Sequence, residues 1–226
     1  DVWEFDLHYD LIGTGGVTRQ ADALFFDRYP LDTDLFATAG ISDERRLLDL
    51  THVITSHRDY RLYHRLDRLV LTGRRDWGSI RIGRQALTWG NGFLFNPMDL
   101  FNPFSPTDVE RDYKIGDDMV TFQAYTGTVG EIQVLYVPRR DPADGDVKWD
   151  QSSAAAKYHS YVGDLEIDLM AGAHYEDAVA GAGLIGYLGS AAWRLDATYT
   201  HLSGKTGADD YVSIVANMDY SWVWNG

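Results

Sequence analysis

Apolar and polar residues alternate from the start of the chain. Every odd position from 3 to 11 carries an aromatic or aliphatic side chain, whereas positions 4, 6, 8 and 10 carry Glu, Asp, His and Asp. Successive side chains of a β-strand point to opposite faces of the sheet, so a period of two indicates a strand with one apolar and one wet face. Residues 2–12 are therefore predicted to form the first strand.

The same alternation recurs through the rest of the chain and is interrupted by glycine-rich or polar turns. With the first strand it predicts about twelve strands, and the pattern over 20–29 is the weakest of them. The alternation slips near Asp67, which predicts a β-bulge in that strand. The further predicted strands are 20–29, 47–56, 60–72, 79–89, 119–126, 131–139, 153–162, 165–175, 179–188, 191–202 and 212–224. The predicted turns include 13–16, 57–59, 73–78, 127–130, 163–164 and 189–190.

One long segment, residues 90–117, breaks the pattern. Pro97, Pro103 and Pro106 exclude a regular helix or a central strand there. Long loops in compact domains are uncommon and are usually functional or disordered. Six large apolar side chains favour a loop that packs on something, and we expect it to fold into the mouth of a barrel. They are Phe93, Leu94, Phe95, Leu100, Phe101 and Phe104.

The predicted fold class is all-β: an antiparallel transmembrane up-and-down β-barrel with this long inward-folded loop. The strands match the roughly 9–11 residues that a tilted membrane strand needs, and they are longer than the roughly 5–6 typical of soluble sheets. The opposite face carries charges and glycines, as a wet lumen does. A soluble β protein remains the alternative. If the chain starts in the periplasm, five tryptophans fall at periplasmic strand ends and Trp89 at an outer end, as in an aromatic girdle. The five are Trp3, Trp77, Trp193, Trp222 and Trp224.

Composition narrows the class further. The 226 residues show no composition shift that would mark a linker, so 1–226 is predicted to be a single domain. The chain has no cysteine and hence neither a disulfide nor a thiolate metal site. A net charge of −14 argues against nucleic acid as a partner. The expected partners are outer-membrane lipid and small polar solutes, with a homo-oligomer or other envelope proteins left open, and no cofactor is expected.

Two neighbouring motifs carry a family resemblance. GRQALTWG at 83–90 is followed by FNPMDLFNP at 95–103. This arrangement resembles a poorly characterised porin-like family of Gram-negative outer-membrane β-barrels, in which a strand with Gly-Arg-Gln and Trp-Gly runs into an Asn-Pro-rich loop. The resemblance implies a barrel located in the outer membrane. Such barrels usually end on an aromatic residue, whereas Trp224 is followed by Asn225-Gly226, as at the opening of a further hairpin turn. This ending predicts that the chain is a fragment of a larger barrel, with strands missing at its end.

Charge is segregated along the chain. Residues 45–84 contain ten arginines and four acids, a net +6 that leaves −20 on the rest. The resemblance to porins implies an arginine ladder facing acids on the inward loop, which would set a field that selects solutes. Salt bridges that merely fix the loop are the alternative. The candidate pore-lining residues are Arg61, Arg65, Arg68, Arg81, Arg84 and Gln85 with Asp99, Asp108, Glu110 and Asp112. Acids elsewhere on the wet face favour cations or neutral solutes, or are simply solvated: Glu4, Asp6, Asp10, Glu131, Glu166, Asp168, Asp196 and Asp219.

Two other site types were weighed. Asp141, Asp144, Asp146 and Asp150 offer oxygen ligands for calcium, but they lack EF-hand spacing and its closing Glu, so an acidic outer loop is favoured and no metal is predicted. Histidines and serines occur together at 159–160 and 201–203, and His174 has Asp177 near it. Adjacent strand residues face opposite ways, however, and neither G-x-S-x-G nor H-E-x-x-H is present.

The predicted function is therefore a porin-like channel for small polar solutes or ions, and not an enzyme. A plugged or partner-bound barrel that serves as a scaffold is the first alternative. An outer-membrane hydrolase is less favoured still.

Overall fold

Eleven antiparallel strands form one continuous sheet in the part of the chain that the structure describes. The structure is a computed structural model and describes residues 2–17, 42–93, 95–103, 114–204 and 209–222. The strands are β1 Val2–Gly15, β2 Thr51–Ser56, β3 Tyr60–Arg75, β4 Gly78–Gln85, β5 Asp117–Thr126, β6 Gly130–Val137, β7 Ser153–Val162, β8 Leu165–His174, β9 Asp177–Leu188, β10 Ala191–His201 and β11 Tyr211–Tyr220. A short 3-10 helix spans Trp149–Gln151. Within the described ranges, no helix has the length and apolar character needed to cross a membrane.

The strands follow an up-and-down order. The spatial order is β1-β3-β4 and onward to β11, and β2 pairs with the first part of β3 beside the point where β4 begins to pair. The bulge predicted at Asp67 is present, because His8 pairs with Arg68 while the next residue, Tyr9, pairs with Leu66. The extra residue restarts the alternation of β3, so that polar side chains before and after it lie on the same face.

The two ends of the sheet differ. At one end, called the turn end below, two- or three-residue turns at 76–77, 127–129, 163–164 and 189–190 join the strands. Gly127, Gly163 and Gly189 adopt φ values of 69°, 62° and 62° in these turns, a region that favours glycine. The opposite end, called the loop end, carries the connections 57–59, 86–116, 138–152, 175–176 and 202–210. The longest of these connections is 86–116, which contains Pro97, Pro103 and Pro106.

The exposure of the two faces of the sheet is the reverse of that in a soluble protein, where the apolar face is buried and the polar face is exposed. The apolar face, which carries the odd positions of β1, is open: Phe5, Leu7 and Leu11 expose 63%, 51% and 60% of their surface. The polar face, which carries Glu4, Asp6 and their cross-strand partners, holds buried charged side chains such as Asp168 and Asp196. The apolar side chains thus lie outside, and many of the charged ones lie beneath the long loop.

The predicted closed barrel of about twelve strands is not what the described residues form. Over the described residues the sheet is open, because β1 pairs with β3 alone and β11 with β10 alone, and no ladder between described residues joins the two outer edges. Alternation predicts that strands exist and which faces they present, but it does not encode the twist and stagger that close a sheet. The predicted strand at 20–29 lies outside the described residues.

Several predicted boundaries were wrong. β2 begins at Thr51 instead of 47, β3 continues through 73–75 of the predicted turn, and β11 ends at Tyr220 although the predicted strand ran on. Two further errors have identifiable reasons. β1 continues through the predicted turn at 13–16 as far as Gly15, because Gly13–Gly15 pair with the start of β3. β4 ends at Gln85 instead of Trp89. Beyond Gln85, the backbone N–H groups of Leu87 and Trp89 donate to loop side chains rather than to a neighbouring strand.

The tryptophans follow the predicted girdle at one end only. Trp3, Trp77 and Trp222 are exposed at the turn end, and Trp3 lies over its cross-strand partner Gly73. Trp193 likewise packs over its cross-strand partner Gly186, and Trp224 is outside the described residues. The prediction for Trp89 was wrong, because its side chain is 1% exposed in the core beneath the loop and does not reach an outer interface.

Candidate functional site

The long loop folds onto the polar face of the sheet. We call its described part, residues 86–93, 95–103 and 114–116, the plug segment. Trp89, Met98 and Phe101 are its buried apolar side chains, and they share one core with side chains of β5–β9. The sheet contributes Met119, Leu135, Val137, Ala155, Met170 and Val179. An apolar patch toward the loop end of an otherwise polar face therefore holds the plug segment by hydrophobic burial.

Trp89 is held by both packing and hydrogen bonding. Its Nε1–H donates to Oε1 of Gln133 on β6 at 2.6 Å. Its ring meets Phe101 edge-on at 5.5 Å between centroids, and Phe101 in turn meets His174 at 5.6 Å. A buried indole N–H needs an acceptor, and this one finds it on β6, which fixes the loop to the sheet.

The asparagine and aspartate side chains of the Asn-Pro-rich segment replace missing backbone pairing. Asn102 accepts from the N–H of Leu87 at 3.1 Å and donates to the carbonyl oxygen of Ile115 at 3.0 Å. Asp99 accepts from the N–H of Trp89 at 3.3 Å. Both ends of the loop are thereby joined, which satisfies backbone groups that prolines and irregular geometry leave without a strand partner.

A buried ion pair lies at the base of the plug segment. The Lys114 ammonium contacts the Asp99 carboxylate and also donates to the carbonyl oxygen of Leu87 at 2.8 Å. Burial raises the pKa of Asp99 despite the nearby ammonium, and burial lowers the pKa of Lys114 despite the nearby carboxylate. Each group thus depends on its partner for compensation in a desolvated position.

Asn91 connects the plug segment to the far side of the sheet. Its backbone N–H donates to Oδ2 of Asp196 on β10 at 2.6 Å, and its Nδ2 donates to Oδ2 of Asp168 on β8 at 3.1 Å. Gly183 lies between these two strands, where an added Cβ would fall 2.7 Å from Asp196 Oδ1. The position requires a residue without a side chain, because the asparagine and the carboxylate occupy that space.

Arg65 and Arg68 are tied to acids near the same loop. Arg65 is buried and bonds Asp10 Oδ2 at 3.2 Å and Asp67 Oδ1 at 3.3 Å. Arg68 contacts the Asp67 carboxylate and donates to the carbonyl oxygen of Lys114 at 2.5 Å. Arg68 therefore has the loop-fixing geometry that was the alternative to a selectivity role, whereas Arg65 joins β1 to β3 through Asp10 and Asp67.

Arg84 lies on the other side of the sheet from Arg81. It shares the parity of the exposed Ile82 and pairs with Asp118 at 2.9 Å. Residues 42–50, which we call the cover segment, bury it: Asp43 is 3.1 Å away and the Leu48 carbonyl oxygen accepts from Arg84 at 2.6 Å. The structure thus separates Arg84 from the polar face, because the cover segment supplies its partners on the apolar side at the loop end.

The remaining candidates are placed as follows. Gln85 is fully buried, and its Nε2 donates to the backbone carbonyl oxygens of Arg81 on β4 at 3.3 Å and Met119 on β5 at 3.1 Å. Arg81 lines a polar cavity of about 360 Å³ on the polar face toward the turn end, with Asp6 and Gln123. Arg61 lines a second cavity of about 480 Å³ at the loop end. Asp108, Glu110 and Asp112 lie outside the described residues.

The acidic outer loop holds a lysine among its carboxylates. Lys148 Nζ lies 2.5 Å from Asp141 and 2.6 Å from Asp144, and these hydrogen bonds raise the pKa of Lys148. Asp144 also accepts from the backbone N–H of Asp146 at 3.0 Å, and Asp150 lies in the 3-10 helix. An ammonium bound to two of the four carboxylates favours an internally neutralised loop over a calcium site.

Strand pairing also brings together side chains that the sequence did not connect. His159 Nδ1 is 3.0 Å from Asp168 Oδ1 and 3.8 Å from Glu166 Oε1. Ser153 Oγ lies 3.1 Å from His174 Nδ1, but Ser153 is buried and also accepts from the N–H of Tyr175. In both groups, side chains of β7 meet side chains of β8. They can therefore be found from the sequence only if the register of the β7–β8 hairpin is known.

No protein-family model, no curated protein and no solved structure matches this chain significantly.

Proposed function

We propose that this chain forms a porin-like β-barrel in a bacterial outer membrane and passes small polar solutes or ions passively through a charged lumen. The observation that carries the proposal is the reversed exposure of the sheet. Apolar side chains lie on its open face, and charged side chains lie on the face that the plug segment covers. In a membrane barrel, lipid-facing and lumen-facing residues alternate in this way.

The exposed apolar face is continuous across strands. Phe5 of β1 pairs with Leu71 of β3, which pairs with Ile82 of β4, and all three are exposed. The row continues to Val120 on β5. Soluble monomers rarely expose large contiguous apolar patches, and such a patch marks a membrane or protein contact. A lipid environment accounts for the whole row, because lipid covers every strand equally.

Membrane insertion requires that the outer edges of β1 and β11 be paired. In hydrocarbon an unpaired backbone donor or acceptor costs several kcal/mol, so open sheet edges do not occur there. We infer that these edges pair in the membrane, either with one another or with further strands. The resemblance of residues 83–103 to porin-like barrels supports this arrangement.

The lumen in this account has walls of opposite charge. Arg65, Arg68 and Arg81 lie on β3 and β4, whereas Asp168 and Asp196 lie on β8 and β10. The plug segment spans between the walls, with Asn91 bonded to the acidic side and Gly116 to Asp67 on the basic side. A polar solute that passes would meet a transverse field and a narrowed lumen, which select by charge and dipole.

A plugged or partner-bound barrel is the second candidate. The observation that favours it is the burial of Trp89, Met98 and Phe101, which anchors the plug segment through a shared core. A firmly anchored plug closes a lumen, and the barrel then serves as a scaffold or docking component. The two candidates predict opposite electrical behaviour.

Conductance across a planar lipid bilayer tests the proposal. The refolded chain should give stable conductance steps, and a salt gradient should give a reversal potential whose sign shows which wall dominates. Deleting residues 91–116 should raise the conductance of each step while heat-modifiable migration shows that the barrel remains folded. If the folded, inserted full chain gives no conductance steps but the variant lacking residues 91–116 does, the plugged barrel is favoured. Silence from both forms would refute the channel.

A further inference from the structure

We propose that His159, Glu166 and Asp168 form a binding site for a divalent transition-metal ion such as Zn²⁺ on the polar face of the sheet. One ligand atom from each residue lies within 4.8 Å of the other two. The measured separations from His159 Nδ1 are 3.0 Å to Asp168 Oδ1 and 3.8 Å to Glu166 Oε1. Ligand atoms around tetrahedral zinc lie about 3.3 Å apart, so these values bracket what the ion requires.

The register of the β7–β8 hairpin creates this cluster. His159 is the direct cross-strand partner of Asp168, and Glu166 lies two residues before Asp168 on the same strand. Residues two apart on a strand share a face, and directly opposed residues have their Cβ atoms about 5 Å apart. All three side chains therefore converge from regular backbone, without a loop that must be ordered first.

The donor types favour a particular class of ion. One imidazole nitrogen with two carboxylate oxygens suits zinc and its neighbours in the transition series, whereas calcium and magnesium prefer oxygen ligands alone. The three donors leave coordination positions for water or for a solute group, as in zinc sites that keep an open position. The acidic loop at 141–150 differs, because a lysine already occupies it.

Lys157 is the group that opposes metal binding. Its ammonium lies 3.4 Å from Asp168 Oδ1 and 6.0 Å from the centre of the Trp89 ring. A cation bound by Asp168 would repel Lys157, since like charges at such distances interact unfavourably. Glu131 pairs with His159 on the other side and adds negative charge, and Tyr161 meets the His159 ring at 5.1 Å.

The site adjoins the plug segment through Asp168. Its Oδ1 faces His159 and Lys157, whereas its Oδ2 accepts from Asn91 Nδ2 at 3.1 Å. A metal ion bound through Oδ1 leaves the asparagine bond in place, and Asn91 orients the ligand as outer hydrogen bonds do in metal sites. The inference concerns binding to the folded chain and does not depend on whether the chain conducts.

Zinc titration of the refolded full chain in detergent micelles, followed by isothermal calorimetry with ZnCl₂, tests the site. We expect one zinc per chain. His159→Asn and Glu166→Gln should each weaken binding about tenfold or more, because removing a ligand costs at least as much as removing an outer partner. Lys157→Gln should tighten binding, an effect that a purely structural cluster would not show.

His201→Asn is the matched control, because His201, the last residue of β10, forms a comparable and exposed His–carboxylate contact with Asp210 at 2.9 Å. Its zinc affinity should equal that of the unmodified chain. The proposal is overturned if the unmodified chain binds no zinc, if His159→Asn binds as tightly as His201→Asn, or if Lys157→Gln leaves the affinity unchanged. Circular dichroism of each variant verifies that the sheet is retained.

Discussion

The backbone N–H of Asn91 donates a 2.6 Å hydrogen bond to Oδ2 of Asp196, although 105 residues separate the two in sequence. The Asn91 side chain adds a second bond to Oδ1 of the same carboxylate at 3.2 Å. Asp196 is buried on β10, so both of its oxygens are committed to the plug segment. This contact fastens the plug segment to β10, seven strands along the sheet from the arginines of β3.

Replacing Asp196 should loosen residues 89–93 of the plug segment. Asp196→Asn removes the charge that strengthens both hydrogen bonds, and an impaired buried hydrogen bond costs about 1–3 kcal/mol. Hydrogen exchange at residues 89–93 should accelerate accordingly. Asp164→Asn, in a turn at the opposite end of the sheet, should leave that exchange unchanged. Equal hydrogen exchange at residues 89–93 in Asp196→Asn and in the unmodified chain would show that the contact with Asp196 does not hold this part of the plug segment.

Arg84 should matter for stability. Its side chain is buried against Asp118 and Asp43, so Arg84→Gln removes the cation paired with Asp118 and leaves Asp43 with Arg46. Breaking a buried pair by removing one partner costs about 3–5 kcal/mol. Urea unfolding in detergent should show a loss of this size. A loss below about 1 kcal/mol, the value of a surface pair, would contradict the burial of Arg84.

Arg81 should matter for selectivity instead. It lies on the same strand as Arg84 but faces the polar cavity with Asp6. In the proposed channel, Arg81→Gln removes a positive charge from the polar face, so the reversal potential in a salt gradient should move toward cation selectivity. Arg84→Gln is the matched control and should leave the reversal potential of the protein that remains folded unchanged. The opposite assignment of the two effects would show that the faces have been interchanged.

The cover segment should loosen in acid. Burial alone would raise the pKa of Asp43, but the hydrogen bonds and charges of Arg46 and Arg84 outweigh burial and lower it. A carboxyl whose pKa is lower in the folded state stabilises it above the unfolded pKa of about 3.9, and this stabilisation is lost as pH falls through the folded pKa. The unfolding free energy of Asp43→Asn should therefore fall less between about pH 5 and pH 3 than that of the unmodified chain. Parallel pH profiles would contradict this linkage.

Trp89 allows packing to be separated from hydrogen bonding. Trp89→Phe keeps a ring against Phe101 but loses the 2.6 Å bond to Gln133, and should cost about 1 kcal/mol or somewhat more. Trp89→Ala also empties a buried site and should cost about 3–5 kcal/mol. Equilibrium unfolding measures both losses. Equal losses would mean that the ring contributes little beyond its N–H.

Local alternation was enough to predict the strands. Residues 153–162 were predicted as a strand with the bounds that β7 has, and the bulge at Asp67 followed from a slip in the pattern. Both features depend on neighbours in sequence, which is where the period of two operates. The packing of the long loop was predicted in part, because Phe101 is buried and Leu100 packs on the core, whereas Phe93 and Phe95 are each 58% exposed. Leu94 and Phe104, which were also expected to pack, lie outside the described residues.

Features that depend on distant partners were not predictable. Arg84 was predicted to line the lumen because it is charged, although its position in the alternation is that of the apolar Ile82. Its observed partners Asp43 and Leu48 belong to the cover segment, more than 30 residues away in sequence. The cluster of His159, Glu166 and Asp168 needed the exact register of β7 and β8. The openness of the sheet depends on strand stagger, which a single-sequence pattern does not contain.

The most direct measurement of the central claim uses the absence of cysteine from the chain. Single cysteines at Leu7 and Ile214 on the apolar face, and at their neighbours Asp6 and Ser213 on the polar face, can carry spin labels in lipid nanodiscs. We predict that oxygen relaxes the labels at Leu7 and Ile214 efficiently and a water-soluble nickel chelate does not, with the reverse preference at Asp6 and Ser213. Labels at Leu7 and Ile214 that the nickel chelate relaxes as well as their neighbours would contradict a lipid-facing apolar surface.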